Sequence, residues 1–270
     1  MNEEQFHYYY ANFYGYGNWN GDTWFIGKEE GGGNAGEDDG YADCNEKIVV
    51  FNNQYEGDGA LLDLRNFHLD LDHGLHPWFY ENSNLQGTWK LPLTILNPDV
   101  DNLIEQQRNH FGRLESNHAL IELMPLPNPK DAQDQWRNRW PDWTGTFINP
   151  LPLDKEAYRV LIRAQRVQFI SDKLGIHRPT KIICYIGGAN SRYRDWIRDV
   201  IRNFDPTFHN NDWIEVTNVE TPRKFTSCYY DLQWENTHTR IIVTYQSTVR
   251  VGKNNTWDDF FDLIMNLIQQ

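Results

Sequence analysis

The sequence lacks the features that mark membrane and secreted proteins. No apolar run approaches the roughly 18 residues that a transmembrane helix needs. The acidic N-terminus shows no signal-peptide pattern. There are only three cysteines, Cys44, Cys184 and Cys228, which lie far apart and form no CxxC pair, so we expect them to be small buried residues. These absences predict a cytoplasmic protein with no membrane partner.

Positive charge is scarce as well. The chain has 25 Lys and Arg residues against 38 Asp and Glu residues, a net charge of −13, which argues against generic binding to DNA or to an anionic membrane. The imbalance lies in the first half, where residues 1–135 carry 7 basic and 23 acidic side chains, against 18 and 15 in residues 136–270. The second half therefore has enough basic residues for a local basic face.

Aromatic residues are abundant, with 11 Trp, 14 Tyr and 14 Phe in 270 residues. Such a composition excludes a disordered chain and predicts a large buried core. We expect one domain over residues 1–270. Residues 1–20, rich in Tyr, Asn and Gly, are expected to form an irregular aromatic arm.

The apolar pattern predicts strands that alternate with helices. Strands are expected at 23–26, 47–51, 119–124, 181–186, 213–216, 225–232 and 240–244, and helices at 60–72, 99–111, 154–174, 191–203 and from Thr256 onward. This order predicts an α/β protein with a mostly parallel sheet covered on both sides. Because ligands bind beyond the carboxyl ends of such strands, the loops after Ile26, Met124, Ile186 and Thr244 should share one rim.

The helix predicted at 154–174 has the clearest spacing. An inward face is expected to hold Ala157, Val160, Leu161, Ala164, Val167, Ile170 and Leu174. The arginines of this helix, Arg159, Arg163 and Arg166, are then expected on the solvated side.

A glycine-rich acidic loop is predicted over residues 27–46. Glycine runs after a strand often bind phosphate through backbone N–H groups. Here Glu29 and Glu30 would repel a phosphate, and the spacings of Walker and Rossmann loops are absent. A carboxylate at this place is better suited to orient a water molecule or to stabilise a developing cation. No GxSxG or HExxH motif occurs, and we expect no metal site and no cofactor.

Four segments at the predicted rim form a pattern in chain order. They are Gly27-Lys28-Glu29-Glu30-Gly31, Glu122-Leu123-Met124-Pro125-Leu126, Cys184-Tyr185-Ile186-Gly187-Gly188-Ala189 and Tyr245-Gln246-Ser247. In order and spacing, over about residues 20–268, the set resembles the uracil-DNA glycosylase superfamily. The resemblance implies a three-layer α/β/α sandwich around a mostly parallel four-stranded sheet. It also implies that the partner is DNA or another nucleobase-containing ligand.

The resemblance implies roles for individual residues. Glu29 stands where family members place the residue that positions or activates water, and Tyr245 stands where they have a histidine that stabilises the leaving base. The residues implied in substrate binding are Gly27, Tyr41, Glu122 and Ser247, with Tyr41 as the ring on which a flipped base stacks. The residues implied in nucleic-acid contacts are Arg192, Arg194, Arg250 and Lys253.

Two of these positions depart from the family pattern in ways that alter the chemistry. Glu122 stands near the base-reading asparagine, and an ionised carboxylate only accepts hydrogen bonds, which changes the recognition of uracil. Tyr245 can donate one hydrogen bond but supplies no imidazolium. Three functions therefore remain open. They are a divergent DNA glycosylase, a catalytically inactive protein of the same fold that binds a nucleobase, nucleotide or protein, and a carbohydrate-binding or glycoside-cleaving protein.

Overall fold

The fold was analysed in a computed structural model of the chain. The structure describes residues 2–31, 39–55, 57, 59–71, 77–98, 102–128, 147, 155–188, 191–217, 226–245 and 256–269. For residues 29–31, 39–44, 77, 127–128, 155 and 256–259, it describes the backbone only.

The described residues form seven strands and eight α-helices. The strands are β1 (Gly15–Gly17), β2 (Thr23–Gly31), β3 (His118–Asn128), β4 (Lys181–Cys184), β5 (Ile214–Thr217), β6 (Thr226–Gln233) and β7 (His238–Val243). The helices are α1 (Glu3–Asn12), α2 (Asp39–Gln54), α3 (Leu64–Leu69), α4 (Lys90–Leu96), α5 (Leu103–Asn109), α6 (Lys155–His177), α7 (Arg194–Arg202) and α8 (Thr256–Gln269). None of the helices in this part of the chain combines the length and the apolar composition that a membrane span requires.

All seven strands belong to one mixed sheet in the order β1-β3-β2-β4-β7-β6-β5. The four central strands, β3, β2, β4 and β7, run parallel, whereas β1, β5 and β6 pair antiparallel at the two sides. The α/β class is confirmed. The expected four-stranded sheet is wrong in its strand number, because three antiparallel strands extend the parallel centre.

Both faces of the parallel centre are buried. In β2 the consecutive residues Trp24, Phe25 and Ile26 are all at most 1% exposed, and the runs Ile182–Cys184 and Ile241–Val243 are buried in the same way. Continuous apolar burial is typical of parallel strands, because side chains on both faces must be covered. The sheet therefore forms the middle of the core.

The first 54 residues differ from the sequence-based expectation. Residues 1–20 contain α1 and β1 instead of an irregular arm, and α1 begins with a capping box between Asn2 and Gln5. The strand expected at 47–51 is part of α2. Phe51 packs edge-to-face on Tyr9 of α1 with ring centroids 5.0 Å apart. Ring packing against α1 therefore overrides the β propensity of Ile48, Val49 and Val50.

The loop predicted at 27–46 is also partly wrong. β2 continues through Gly31, and α2 begins at Asp39. Residues 32–38 lie outside the described part of the chain.

Helix α6 is confirmed in extent but not in orientation. Val160 and Leu161 are 70% and 57% exposed, whereas Arg166 is 1% exposed and Arg159 is 9% exposed. The expected inward face is confirmed only for Val167, Ile170 and Leu174. Ala157 and Ala164 are exposed, so the predicted polar and apolar faces are exchanged in the first half of the helix.

Candidate functional site

The four central strands run parallel, so their carboxyl ends face one edge of the sheet. The loops expected directly after Ile26 and Met124 are not there, because β2 and β3 continue to Gly31 and Asn128. Gly27 of β2 lies opposite Glu122 of β3. Beyond β4, the Tyr185 N–H donates to the Ile26 carbonyl over 3.0 Å, and the Thr244 N–H donates to the Cys184 carbonyl over 2.8 Å. One row of residues therefore crosses four parallel strands, within β2 and β3 and directly after the ends of β4 and β7.

This row carries polar side chains on one face of the sheet, and we call it the polar row. Its members are Glu122, Gly27, Tyr185, Thr244 and Ser227 of β6, whose hydroxyl lies 2.9 Å from the Thr244 hydroxyl. Laterally aligned residues point to the same side of a sheet. Thr244 and Ser227 are fully buried, so their hydroxyl contact satisfies groups that water does not reach.

The missing side chain at Gly27 brings two functional groups of the polar row together. The position of a Cβ atom at Gly27 would lie 2.7 Å from Glu122 Oε2, 3.1 Å from Glu122 Oε1 and 3.0 Å from the Tyr185 hydroxyl. The carboxylate and the phenol therefore share the space above Gly27 and lie less than 6 Å apart. Side by side, they offer hydrogen-bond acceptors and one hydroxyl that can donate or accept.

The backbone of Glu122 is fixed from behind by Arg166 of α6. The guanidinium donates to the carbonyls of Leu123 (3.1 Å) and Phe13 (2.6 Å), and also to the carbonyl of Glu122 itself. The Glu122 N–H donates to the Tyr14 carbonyl over 2.9 Å. These contacts hold the carboxyl end of β3 in one position.

Arg166 is also a buried positive charge next to the polar row. Desolvation lowers the pKa of Arg166, while attraction to Tyr14, Tyr158, Tyr9 and Glu122 raises it. The Tyr14 ring lies 3.8 Å from the guanidinium carbon, at a distance that suits a cation–π interaction.

A tight turn after β4 forms the second side of the site. The N–H groups of Gly187 and Gly188 both donate to the Thr244 carbonyl, over 3.1 and 2.9 Å. Their φ angles are +111° and +76°, values that favour glycine. A Cβ atom at Gly188 would lie 2.4 Å from the Tyr245 ring, so the ring approaches this turn closely only because position 188 has no side chain.

Lys28 brings a positive charge to the same turn. Its Nζ lies 3.4 Å from the Cβ position of Gly187 and 5.9 Å from the centre of the Tyr193 ring. The Tyr193 hydroxyl accepts from Arg159 Nε over 3.0 Å and donates to Met124 Sδ over 3.2 Å. The site therefore combines one carboxylate, one ammonium group and several aromatic rings.

Two of the predicted nucleic-acid contacts are described, and both are engaged with carboxylates. Arg192 donates to Glu156 over 2.8 Å, where Arg159 also binds, and the hydrogen bond from Arg159 lowers the pKa of Glu156. Arg194 lies 3.5 Å from Glu215 with 18% of its side chain exposed. Arg192 remains 56% exposed at its side chain and is the better placed of the two to meet a ligand.

The other predicted site residues are placed only in part. The Glu29 backbone lies in β2 opposite Met124, two positions beyond the Gly27–Glu122 pair. The Tyr41 backbone lies in α2; the side chains of both are outside the described part of the structure. Ser247, Arg250 and Lys253 lie outside the described residues. The structure brings Gly27 and Glu122 together, with Tyr245 one residue beyond the polar row.

Sequence reasoning assigned no role to Tyr185, Lys28, Tyr193 or Arg166. The signal for Tyr185 was its place directly after the β4 run and before Gly187-Gly188. Within the described residues, no group of three or more His, Cys, Asp or Glu side chains is arranged to hold a metal ion. His68 is buried, and its Nδ1 lies 2.8 Å from the Leu64 carbonyl.

Comparison of the chain with models of protein families, with characterised proteins and with solved structures finds no match.

Proposed function

We propose that this chain recognises a nucleobase at the carboxyl edge of its parallel strands. The observation that carries the proposal is the meeting of the Glu122 carboxylate and the Tyr185 hydroxyl above Gly27. Planar bases are recognised by hydrogen bonds along one edge together with aromatic contacts on their faces. The half-buried Tyr245 ring follows Thr244 of the polar row directly and lies against Gly188.

The position of the site in the fold supports the same proposal. Ligands of open α/β sheets bind beyond the carboxyl ends of the strands, and the polar row includes Tyr185 and Thr244, which directly follow β4 and β7. A three-layer sandwich like that of the uracil-DNA glycosylase superfamily is part of this proposal. Its support is the parallel centre of four strands.

Hydrolysis of the N-glycosidic bond is the reaction that this site would perform. A base in a nucleic acid would first leave the stack. Water would then bond to the sugar C1′ and lose a proton to the Glu29 carboxylate, while the bond from C1′ to the base nitrogen breaks. The base would leave with the bonding electrons, stabilised by a hydrogen bond from Tyr245, and would take up a proton.

A second candidate is binding without hydrolysis, and one observation favours it. Glu29 lies within the β2–β3 ladder opposite Met124, whereas a residue that positions water is expected on the loop after the strand. A protein of this kind would bind a base, nucleoside or nucleotide as a receptor or regulator.

One experiment separates these two functions. Labelled oligonucleotides that contain uracil, hypoxanthine or xanthine are incubated with the protein and then treated with alkali, which cuts abasic sites. Hydrolysis predicts cleavage that Glu29→Gln abolishes and that Glu235→Gln, at an exposed turn between β6 and β7, leaves unchanged. Binding of nucleosides or oligonucleotides without cleavage supports the second candidate. If the protein neither cleaves these oligonucleotides nor binds nucleosides or oligonucleotides at low salt, the proposed site is refuted.

A further inference from the structure

We propose that a second ligand site lies at the edge of the sheet where the parallel strands begin, in a surface cavity of about 370 Å³ that binds the phosphate group of a small organic molecule. The cavity lies at the start of β4, at the turn between β6 and β7, and near the end of α8. Small-molecule sites usually have volumes of about 300 to 1,000 Å³. This site is at the opposite end of β4 from Tyr185 of the polar row, and it does not rest on the proposed function.

The side chains that line the cavity are basic or neutral. Lys181, His238 and Arg240 supply the basic groups, and no acidic residue of the described chain belongs to the lining. The chain as a whole has 38 acidic residues against 25 Lys and Arg residues, so this lining departs from the composition of the rest of the molecule. Basic walls around a cleft attract anions.

A row of charges across three strands has two cations and one carboxylate. Arg240 of β7 lies opposite Lys181 of β4 on one side and opposite Asp231 of β6 on the other. The two Asp231 oxygens accept hydrogen bonds from Arg240, each over 2.7 Å, so Asp231 balances the charge of Arg240. Like charges on neighbouring strands repel each other. An anion bound at Lys181 would therefore balance the second cation of the row.

Lys181 is the group that can hold this anion. Its side chain is only partly buried, and within the described residues its ammonium group makes no hydrogen bond or ion pair. The neighbouring side chains Asn236, Thr237 and His238 are exposed, and they make no hydrogen bond in the same part of the chain. All of these groups can therefore donate to a ligand.

The number of these donors favours a phosphate monoester over a carboxylate. An ammonium group has three N–H donors, and an amide and a hydroxyl group add three more. A phosphate monoester has three terminal oxygens and a charge of about −1.5 to −2 near pH 7, whereas a carboxylate has two oxygens and one charge. The phosphate can therefore accept from more of the groups around Lys181.

Hydrogen bonds hold the wall on the side of the turn in place. The Trp234 N–H donates to the Thr237 carbonyl over 2.8 Å, and the Trp234 indole N–H donates to the Thr239 hydroxyl over 2.9 Å. The Thr239 hydroxyl in turn donates to the Pro179 carbonyl over 2.6 Å, which joins the turn to the segment before β4. A site with such prearranged walls loses less conformational entropy when a ligand binds.

The cavity also has an apolar part. Ile268 of α8 belongs to the lining, and the aliphatic stem of Lys181 adds further apolar surface. An inorganic ion would leave these groups uncovered. The ligand is therefore expected to carry an organic body that contacts Ile268 while its phosphate group contacts Lys181.

Calorimetric titration of the full chain with four probes is the primary test. The probes are phenyl phosphate, inorganic phosphate, benzoate and benzyl alcohol, in a buffer without other multivalent anions. Phenyl phosphate should bind most tightly. Inorganic phosphate should bind about tenfold more weakly because it lacks the apolar ring. Benzoate should also bind more weakly because it has fewer acceptors, and the neutral benzyl alcohol should not bind measurably.

Three variants assign the binding to this cavity. Lys181→Met keeps the length of the side chain but removes its charge, and it should weaken phenyl phosphate binding by about tenfold to a hundredfold. Lys181→Arg keeps the charge and should retain most of the affinity. Ile268→Ala should reduce the preference for phenyl phosphate over inorganic phosphate, because it removes part of the apolar wall. Near-ultraviolet circular dichroism checks that each variant is folded.

Lys90→Met is the matched control, because Lys90 lies in α4 and does not line the cavity. It should leave the affinity for phenyl phosphate unchanged. The proposal is overturned if phenyl phosphate does not bind, or if folded Lys181→Met protein binds it as tightly as the unaltered protein does. Benzoate that binds as tightly as phenyl phosphate would overturn the assignment of the ligand as a phosphate monoester.

Discussion

At the scale of single residues, the missing side chain at Gly27 makes room for the two polar groups of the site. The carboxylate oxygens of Glu122 and the hydroxyl of Tyr185 all lie within 3.1 Å of the Cβ position. Gly27 does not have a positive φ angle, so its backbone accepts other residues. The glycine is therefore required for space rather than for conformation.

The substitution Gly27→Ala should displace the site while the fold persists. The new methyl group meets the ends of side chains, which can turn away, so we expect the free energy of unfolding to change by less than about 1 kcal/mol. Nucleobase affinity should fall by about tenfold or more, because small misplacements of binding groups have large effects. Calorimetric titration measures the affinity and urea unfolding the stability.

Gly175→Ala in α6 is the matched control for that change. Its new Cβ atom would approach only the Phe204 ring, at 3.3 Å, and the nucleobase affinity should stay the same. If folded Gly27→Ala protein binds nucleobases with unaltered affinity, the space above Gly27 is not part of the binding site.

His118, at the amino end of β3, should make the protein sensitive to acid. Its Nε2 accepts a hydrogen bond from the Gly112 N–H over 2.9 Å, and burial lowers its pKa from 6.5 to about 4. In the unfolded chain the imidazole takes up a proton near pH 6.5. The contribution of this group to stability is therefore present above pH 6.5 and is lost as the pH falls towards 4, to a total of about 3 kcal/mol.

Urea unfolding between pH 7.5 and pH 4 measures this loss. His118→Gln keeps an acceptor for the Gly112 N–H and should remove about 3 kcal/mol of the pH dependence. His238→Gln, at an exposed position, should leave the pH dependence as it is in the unaltered protein. If the free energies of unfolding of His118→Gln and of the unaltered protein fall equally between pH 7.5 and pH 4, the conclusion that His118 is buried in its neutral form is wrong.

At the scale of elements, helix α6 shows where sequence periodicity misleads. The spacing of its apolar residues placed Val160 and Leu161 inside and the arginines outside, and the structure does the opposite. Arg166 is inside because three backbone carbonyls, from Phe13, Glu122 and Leu123, need donors there. A buried cation with full hydrogen bonding is tolerated, and its acceptors come from parts of the chain that periodicity does not take into account.

Neighbouring positions in α6 provide a direct test of this orientation. Ile162→Ala should lower the free energy of unfolding by about 2 to 5 kcal/mol, because Ile162 is 2% exposed and its loss leaves a cavity. Leu161→Ala should change it by less than about 0.5 kcal/mol, because Leu161 is 57% exposed. Chemical denaturation of both variants is the measurement. A larger loss of stability in Leu161→Ala than in Ile162→Ala would contradict the structure and support the helix orientation that the sequence predicts.

The sequence predicts the parallel strands, but it predicts only some of the residues that form the site. Apolar runs such as Ile182–Cys184 and Ile241–Val243 indicate buried strands without any knowledge of the strands beside them. Because these strands are parallel, their carboxyl ends face the same edge of the sheet. The pairing that sets Gly27 against Glu122 depends on strand register, which the sequence does not state. The only sequence signal for Tyr185 is therefore its place before Gly187-Gly188, and its position beside Gly27 follows from the strand alignment.

At the scale of the whole molecule, two cysteines report on global unfolding. Cys184 in β4 and Cys228 in β6 both lie opposite Val243 of β7. Burial raises the pKa of Cys228 to about 11, and it raises the pKa of Cys184 well above its ordinary value. A buried thiol with a high pKa is unreactive in the native state.

In a Cys44→Ser variant, both remaining thiols should therefore react with a disulfide reagent only through unfolding. Their reaction rates should be equal and should rise together as urea lowers the free energy of unfolding. Stopped-flow absorbance in a urea series gives the rates. Rapid reaction of one thiol in the absence of urea would show that the sheet opens locally at that strand.

Strand β2 has a consequence for how the protein is made. Asp22, just before β2, hydrogen-bonds to Asn117, just before β3 and 95 positions later in the chain. It also hydrogen-bonds to Thr180, just before β4 and 158 positions later. During synthesis, the apolar run Trp24–Ile26 is therefore exposed long before the residues of β3 and β4 have been made. Such high contact order predicts refolding in milliseconds to seconds, which tryptophan fluorescence after dilution from urea can measure; completion within microseconds would contradict it.

The acidic residues that follow this strand then matter before the protein has folded. Glu29, Glu30, Glu37, Asp38 and Asp39 come directly after the apolar run in the sequence. Charges placed beside an exposed apolar strand act as gatekeepers, because repulsion keeps strands of different nascent chains from pairing. The charges that follow the apolar run of β2 in the sequence would thus protect the growing chain from aggregation.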